Sequence, residues 1–403
     1  MQALTLDNLA IVAAVAFASP LLLGFAPRLR VPSVLVEIVA GVVLGPSGLG
    51  WVQADAPVQV MALIGVGFLL LLAGLEIDFD QLRGRILAAA LLGFALSFAI
   101  ALVVAFGLQA GGIGGSPLLI AVILSATSLA VVLPLLKDAG LLASPFGQIV
   151  IAGSSIADLA TVVLLSVLFS ADSGGLGSRL GLFAAFLMLC LVAAAAVRGG
   201  GSLRRVSDVL VRLQDTTAQV RVRGAFVLLL AFSVFAQRFG LEAILGTFLA
   251  GAIMNIADRD RGMTHGHFHA KLEEAGFGFF IPVFFVSSGI RLDAHALVGN
   301  SSTLLEVPLF LVALYLIRGL PAILYRPLVG GRRAAAAGLL QATTLSFVLI
   351  ASQIGQELGL LTASTVAALT AAALVSVLVN PVAALVLLGR GEASMPEPAP
   401  QPG

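Results

Sequence analysis

The stretch Pro117-Leu-Leu-Ile-Ala-Val-Ile-Leu-Ser-Ala-Thr-Ser-Leu-Ala-Val-Val-Leu-Pro-Leu-Leu136 contains no charged residue. It is about as long as a helix must be to cross a lipid bilayer. Its middle carries a cluster of hydroxyl side chains, Ser125-Ala-Thr-Ser128, and Pro134 follows. A later apolar run carries a similar cluster, Gln341-Ala-Thr-Thr-Leu-Ser346. The two runs predict membrane-spanning helices that are interrupted near their centres, although Ser and Thr in such helices also bond back to their own backbone.

The composition extends this interpretation to the whole chain. Of its 403 residues, 59% are hydrophobic and 11% are charged, and the mean hydropathy is +1.09. Soluble domains carry about 25% charged residues, so lipid must be the solvent for much of this surface. The formal net charge of +1 argues against nucleic acid as a partner, and the single cysteine, Cys190, excludes an intrachain disulfide framework. The sequence shows no phosphate-binding loop, zinc-ligand spacing or nucleophile elbow, so we expect neither an enzyme nor a bound cofactor.

Apolar runs between charged or Gly/Pro breaks predict an all-α polytopic membrane protein with about thirteen spans. Most Lys and Arg residues fall in alternate loops, which places the N-terminus outside and the C-terminus in the cytoplasm. The predicted spans are 7–27, 33–50, 57–77, 86–109, 117–136, 147–170, 179–197, 224–238, 241–256, 275–290, 303–324, 335–355 and 362–388.

A mid-chain polar segment divides the predicted transport domain, 1–388, into two halves. The halves are 31–197 and 224–388, and the basic linker 198–223 connects them on the inside, in part as a surface helix. Residues 389–403 are rich in proline and are expected to form a disordered cytoplasmic tail. Interrupted helices at corresponding positions of two halves are typical of an inverted-repeat transporter with its site where the breaks meet.

Asp158 is the strongest candidate for an ion-binding residue. It lies near the middle of the run 147–170, where an ionised carboxylate is costly unless it holds a proton or a cation. Ser154 and Thr161 are four and three residues away and share its helical face. Carboxylate and hydroxyl oxygens suit a hard cation. The alternative is a carboxylate that pairs structurally with an arginine.

Arg318 is the other charge deep in a predicted span, 303–324, and it needs an acidic partner or water. Asp158, Glu37 and Glu76 are the candidate partners. Glu37 lies a turn or two into its span, and Glu76 lies at the inside end of its span, where reaching to the interface is an equally ordinary role. The tract from His265 to His269 is expected on an inside loop, as a metal-binding or pH-sensing element or, more simply, as a solvated loop.

In order and spacing, these segments resemble the monovalent cation/proton antiporter family, in the branch of Kef-type and NapA-type exchangers. The resemblance covers roughly residues 31–388. It rests on Val31-Pro-Ser-Val, Glu37-Ile-Val-Ala-Gly41, Leu44-Gly-Pro46, Phe68-Leu-Leu-Leu-Leu-Ala-Gly-Leu-Glu76, Ser125-Ala-Thr127 with Leu133, Gly153-Ser-Ser-Ile-Ala-Asp158, Leu245-Gly-Thr-Phe-Leu-Ala-Gly251 and Ile281-Pro-Val-Phe-Phe285 with Gly289.

The resemblance implies a core domain and a dimerisation domain, a homodimer, and an elevator-like movement of the core. It implies crossed helices around Thr127 and Thr343, and a site for Na⁺ or K⁺ at Asp158, with the remaining predicted site residues being Ser125, Thr127, Ser128, Ser154, Thr343 and Thr344. Three departures stand out. Ala157 occupies the position where the family has a second acid or an asparagine, an arginine stands at 318 where electrogenic members often have a lysine, and the second interrupted helix lacks an acid.

The sequence therefore favours an antiporter that exchanges Na⁺ or K⁺ for H⁺, one for one, with both ions competing for Asp158. Its alternatives are a passive cation channel, a sensor paralogue that does not transport, and an organic-anion symporter. A bacterial inner membrane suits the family and the transport core.

Overall fold

The computed structural model describes residues 5–25, 32–76, 84–113, 115–142, 144–169, 177–178, 180–188, 219–258, 262–299 and 301–389. All regular structure in this described part is helical. Nine helical stretches in it are long and apolar enough to cross a membrane, and Ser33–Leu44 and Ala243–Asn255 are shorter apolar helices. The linker 198–223 lies mostly outside the described residues, as does nearly all of the tail from 389. The predicted count of thirteen spans stays a prediction.

The helices group into two compact units by their contacts. The first unit comprises residues 1–77 and 162–295, and the second comprises 78–161 and 296–403. Each unit therefore draws on two separate parts of the chain. The boundary between residues 161 and 162 falls inside a helix, Pro145–Leu168, whose N-terminal part carries Asp158 and belongs to the second unit.

The first unit contains α1 (Asp7–Phe25), α2 (Ser33–Leu44), α3 (Ala56–Leu75), the C-terminal end of α7 (Pro145–Leu168), a helical stretch over 180–188, α8 (Val220–Arg238), α9 (Ala243–Asp258), α10 (Gly262–Ala275), a π-helical turn (Gly276–Phe280) and α11 (Ile281–Arg291). Close helix contacts in this unit rest on glycine. A side chain at Gly41 would overlap the carbonyl oxygen of Val286, and one at Gly289 would overlap that of Ile38. These two glycines allow α2 and α11 to pack backbone against backbone, as in membrane helix pairs generally.

The second unit contains α4 (Gly84–Ala110), α5 (Pro117–Leu124), α6 (Leu129–Asp138), most of α7, α13 (Ser301–Leu314), α14 (Arg326–Val329), α15 (Gly331–Gln341), α16 (Ser346–Glu357) and α17 (Ala363–Leu388). The short helix α12 (Ala294–Val298) lies across the boundary between the two units. A π-helical turn (Tyr315–Gly319) and a 3₁₀ stretch (Leu320–Tyr325) join α13 to α14. Both predicted interruptions are confirmed, since α5 ends at Leu124 before α6 begins at Leu129, and α15 ends at Gln341 before α16 begins at Ser346.

The prediction of a loop around the histidine tract is wrong. Residues 265–269 lie within α10, which continues through the π-helical turn into the apolar helix α11. The polar sequence of residues 262–275 predicted a loop because it has no apolar face. It contains no proline, however, so nothing in it prevents a helix. His269 Nδ1 lies 3.4 Å from a Glu273 carboxylate oxygen one turn later, a pairing that a helix permits.

Candidate functional site

The two helix breaks meet in the second unit. The Ser128 amide donates a 2.9 Å hydrogen bond to the Thr343 carbonyl, which ties the first break to the second. The Ser128 and Ser346 hydroxyls lie 3.4 Å apart. Two helix C-termini and two helix N-termini therefore converge on one point, with the partial charges that helix ends carry. Such a crossing gathers the backbone N–H and C=O groups that helix ends leave without intrahelical partners.

Arg318 holds the first break from the π-helical turn 315–319. It is 1% exposed, and its Nε and Nη2 donate to Thr127 Oγ1 at 2.9 and 2.6 Å. Nη1 donates to Ser97 Oγ at 3.3 Å, and Nε also reaches the carbonyl of Gln341, the last residue of α15, at 3.4 Å. A positive charge at the C-terminal carbonyl of a helix is favourable. These neutral oxygens position the guanidinium, and Asp158 supplies an opposite charge that interacts with it electrostatically.

The hydroxyl of Thr127 is fully used in this arrangement. It accepts two hydrogen bonds from Arg318 and donates a third, at 2.8 Å, to the Gln341 carbonyl. A hydroxyl has one hydrogen and two lone pairs, so no lone pair remains for a cation. The predicted ligand role of the Thr127 side chain thus requires that Arg318 first release it. Here Thr127 acts as the link between the arginine and the crossing.

Asp158 is partly buried on α7. The hydroxyls one turn away on the same helix differ in their hydrogen bonding. Thr161 Oγ1 donates to the Ala157 carbonyl at 2.7 Å and also approaches the Asp158 carbonyl, so it is bonded to its own helix. Ser154 Oγ, one turn before Asp158, is buried and has no hydrogen-bond partner among the described residues. A buried hydroxyl without a partner costs free energy. An ion or a water molecule bound on this face of α7 would satisfy it.

The second break has its own supports. Ser376 Oγ, on α17, accepts from the Thr344 amide at 3.2 Å and lies 3.1 Å from the Thr344 carbonyl, and it also donates to its own helix at Ala373. Thr343 Oγ1 donates to the Leu339 carbonyl at 3.1 Å. The Thr344 hydroxyl is buried and has no partner within the described part of the chain. Of the predicted hydroxyls at this break, Thr344 is the one left available to an ion.

Gln341 connects the second break to the helix of Asp158. Its amide donates to the Tyr325 hydroxyl at 3.1 Å. A side chain at Gly153, one turn before Ala157, would overlap Gln341 Nε2 and come within 3.1 Å of the Tyr325 hydroxyl. The absence of a side chain at Gly153 therefore lets α15 approach α7 closely.

Most of the predicted site residues belong to one unit, and two belong to the other. Arg318, Asp158 and the two breaks belong to the second unit, whereas Glu37 and Glu76 belong to the first. Pairing of Arg318 with either glutamate therefore stays a prediction. Ser125, predicted as a crossing residue, donates its hydroxyl to the Val122 carbonyl of its own helix at 3.0 Å.

Three supporting residues were absent from the prediction. They are Ser97, Tyr325 and Ser376. Ser97 is the one hydroxyl residue of α4, and Ser376 is one of several hydroxyl residues along α17, so neither serine forms a motif. Tyr325 offered a weak signal, since the chain has only 2 tyrosines and this one follows a span with a buried arginine.

The comparison with family models decides the family. The model described as "Sodium/hydrogen exchanger, transmembrane" matches residues 13–388. The chain belongs to the sodium/hydrogen exchanger family. This family membership places it among monovalent cation/proton antiporters, which are secondary transporters and not enzymes.

Curated relatives of this exchanger agree with the family. It is 32% identical over 393 residues to the "Putative Na(+)/H(+) antiporter YjbQ" of Bacillus subtilis, a match covering 93% of this chain and 62% of YjbQ. It therefore spans less than two thirds of that protein's length. It is 27% identical over 375 residues to the "Probable Na(+)/H(+) antiporter 3" of Methanocaldococcus jannaschii, covering 88% of this chain and 90% of the relative. The "Na(+)/H(+)-K(+) antiporter GerN" of Bacillus cereus is 29% identical over 283 residues, with 68% of each chain covered.

The fold of this exchanger is shared with a solved structure. The sodium proton antiporter MjNhaP1 from Methanocaldococcus jannaschii matches with a TM-score of 0.66 and 15% identity, over 95% of this chain and 98% of that one. The long apolar helices and this shared fold make the protein integral to a membrane.

Proposed function

We propose that this exchanger moves a monovalent cation, Na⁺ or K⁺, across the membrane in exchange for H⁺. The observation that carries the proposal is the crossing of two interrupted helices tied by Ser128 and Thr343, in the unit that also holds the opposite charges of Asp158 and Arg318. Relatives named for Na⁺/H⁺ exchange, and one named for Na⁺/H⁺-K⁺ exchange, support both the reaction and the two candidate cations.

Asp158 is the proposed carrier, for which the cation and the proton compete. A carboxylate that holds either ion is neutralised, and it can then pass the barrier between the two faces of the membrane. The empty carboxylate is held back, because carrying an unsatisfied charge through a poorly solvated region is costly. The unpartnered hydroxyls of Ser154 and Thr344 are the proposed oxygens to join the carboxylate around a cation.

Exchange is proposed to be electroneutral, one cation for one proton. The position before Asp158 is Ala157, which cannot take part in charge movement. Arg318 keeps its proton at working pH. Its charge is therefore the same in the cation-bound and the proton-bound protein, and it does not change the number of charges moved per cycle. We further propose that access alternates through an elevator-like movement and that the protein is a homodimer. It would lie in a bacterial inner membrane, with its N-terminus outside and its C-terminus in the cytoplasm.

The test is proton movement in proteoliposomes that contain a pH dye and receive Na⁺ or K⁺ outside. Wild type should give cation-driven pH changes that a voltage clamp with valinomycin and K⁺ leaves unchanged. Asp158→Asn should abolish them, because an amide cannot alternate between a proton and a cation. Full activity of Asp158→Asn would overturn the carrier role, and a strong effect of the clamp would overturn electroneutrality. Ion flux that ignores the pH gradient would instead support the channel alternative.

A further inference from the structure

A second concave site lies entirely within the first unit. Its volume is about 480 Å³, and it is bounded by α1, by the start of α2, and by the segment 277–285. Aromatic and aliphatic side chains make most of its wall, including Phe17, Pro20, Phe277, Phe279 and Phe285. This volume lies in the range of natural ligand pockets, which are typically apolar with a few fixed polar groups.

Glu37 is the one acidic residue in this wall. Its side chain is 3% exposed, and its Oε2 atom is buried with no hydrogen-bond partner among the residues that the structure describes. The helix that carries it is fixed, since Gly41 and Gly289 hold α2 against α11. A carboxyl group in an apolar wall needs a donor from a ligand or from water, because burying it unsatisfied is costly. The Oε2 atom of Glu37 is therefore a preformed acceptor with no donor among the described residues.

The position of the cavity along the helices indicates the kind of ligand. Glu37 lies in the second turn of α2, Pro20 lies in the last turns of α1, and Phe277 follows directly on the polar helix α10. The cavity thus lies near one end of apolar helices, where a bilayer passes from acyl chains to head groups. At its rim, Phe17 and Phe277 are 71% and 44% exposed, which suits contact with lipid.

We propose that this cavity binds a phospholipid with a primary ammonium head group, of the phosphatidylethanolamine class. The ammonium would donate to the Glu37 carboxylate, and an acyl chain would lie against the phenylalanines at the rim. A primary ammonium has three donors and is small, whereas a quaternary ammonium has none. An anionic lipid lacks the cation that the carboxylate favours. The site is independent of Asp158 and of the proposed exchange.

The experiment is lipid binding by the full-length protein in detergent, followed as the rise in its unfolding temperature. Phosphatidylethanolamine, phosphatidylcholine and phosphatidylglycerol with matched acyl chains are compared. Wild type should bind phosphatidylethanolamine at least roughly tenfold more tightly than phosphatidylcholine, the factor expected for a charge-assisted hydrogen bond. Glu37→Gln should lose this preference. Glu306→Gln, which changes a half-buried glutamate of the second unit whose Oε2 is also unpartnered among the described residues, should keep it.

A second variant guards against a folding defect at Glu37. Ala16→Phe would fill the cavity from α1 and leave the carboxylate in place, and it should weaken binding of phosphatidylethanolamine by a similar factor. Equal binding of phosphatidylethanolamine and phosphatidylcholine by wild type would overturn the proposal. So would a preference that survives in Glu37→Gln or in Ala16→Phe. If dodecylamine bound as tightly as phosphatidylethanolamine and displaced it, the site would recognise free amines, and the assignment to a lipid would be wrong.

Discussion

The break between Leu124 and Leu129 is held by a buried cation, whereas the break between Gln341 and Ser346 is held by a serine hydroxyl. At the first break, Arg318 donates twice to Thr127, whose hydroxyl has no capacity left. At the second, Ser376 contacts both backbone groups of Thr344 and leaves the threonine hydroxyl unpartnered within the described residues.

The two breaks therefore have different roles, although both carry a similar cluster of Ser and Thr residues. A charge fixes the first break and also acts on Asp158. Neutral hydrogen bonds to the backbone of Thr344 support the second break, where Arg318 reaches only the Gln341 carbonyl at 3.4 Å, and they leave the Thr344 hydroxyl free for an ion. The first break thus stabilises the crossing through the charge of Arg318. The second break offers a hydroxyl that can bind a cation. Three substitutions test this division.

Removing the cation should have the largest effect. In Arg318→Met, the apolar chain fills similar space, but Thr127 loses two donors and Asp158 loses an opposite charge. Breaking a buried charge interaction from one side costs about 3 kcal/mol or more, so the unfolding temperature in detergent should fall by several degrees. Exchange should also fall well below that of wild type, because the guanidinium no longer holds Thr127 at the crossing.

Arg318→Lys is the matched control, because lysine keeps the charge and loses the planar fork. It should lose part of the stability and of the activity, and less of each than Arg318→Met. If Arg318→Met were as stable and as active as wild type, the first break would not depend on the arginine.

Removing the hydroxyl of Ser376 should have an intermediate effect on stability. Ser376→Ala leaves the Thr344 amide and carbonyl without their side-chain partner in a buried position. An unsatisfied buried group costs about 1–3 kcal/mol, which thermal unfolding in detergent would register as a smaller loss than for Arg318→Met. Ser352→Ala is the control, since that buried hydroxyl has no partner among the described residues and its removal should be neutral. Equal losses from the two alanine variants would mean that Ser376 does not support the break.

Much of this crossing is predictable from sequence, because a hydroxyl cluster in a long apolar run has few explanations in a bilayer. The helix breaks, the buried Arg318 and the central Asp158 follow from that argument. The supports do not, since Ser97 and Ser376 come from distant parts of the chain and look like any serine in an apolar helix. Local periodicity carries no information on which hydroxyl faces which backbone group. The helix that holds the histidine tract was missed for a related reason: a polar helix has no apolar stripe that distinguishes it from a loop.

The free oxygen at the second break should give the smallest and most specific effect. Thr344→Val keeps the shape of the side chain and removes a hydroxyl that has no described partner, so stability should be unchanged or rise by up to about 1 kcal/mol. If that oxygen joins Asp158 around the cation, the KM for Na⁺ or K⁺ should rise about threefold or more, while the maximal rate at saturating cation stays near that of wild type. Thr343→Val is the control next to it: its hydroxyl donates to the Leu339 carbonyl, so its loss should lower stability slightly and leave the KM for the cation unchanged. A KM that rises in Thr343→Val and not in Thr344→Val would make Thr343 the ligand. The cation would then bind a hydroxyl that also supports the helix, which contradicts the proposed division between structural and ligand oxygens.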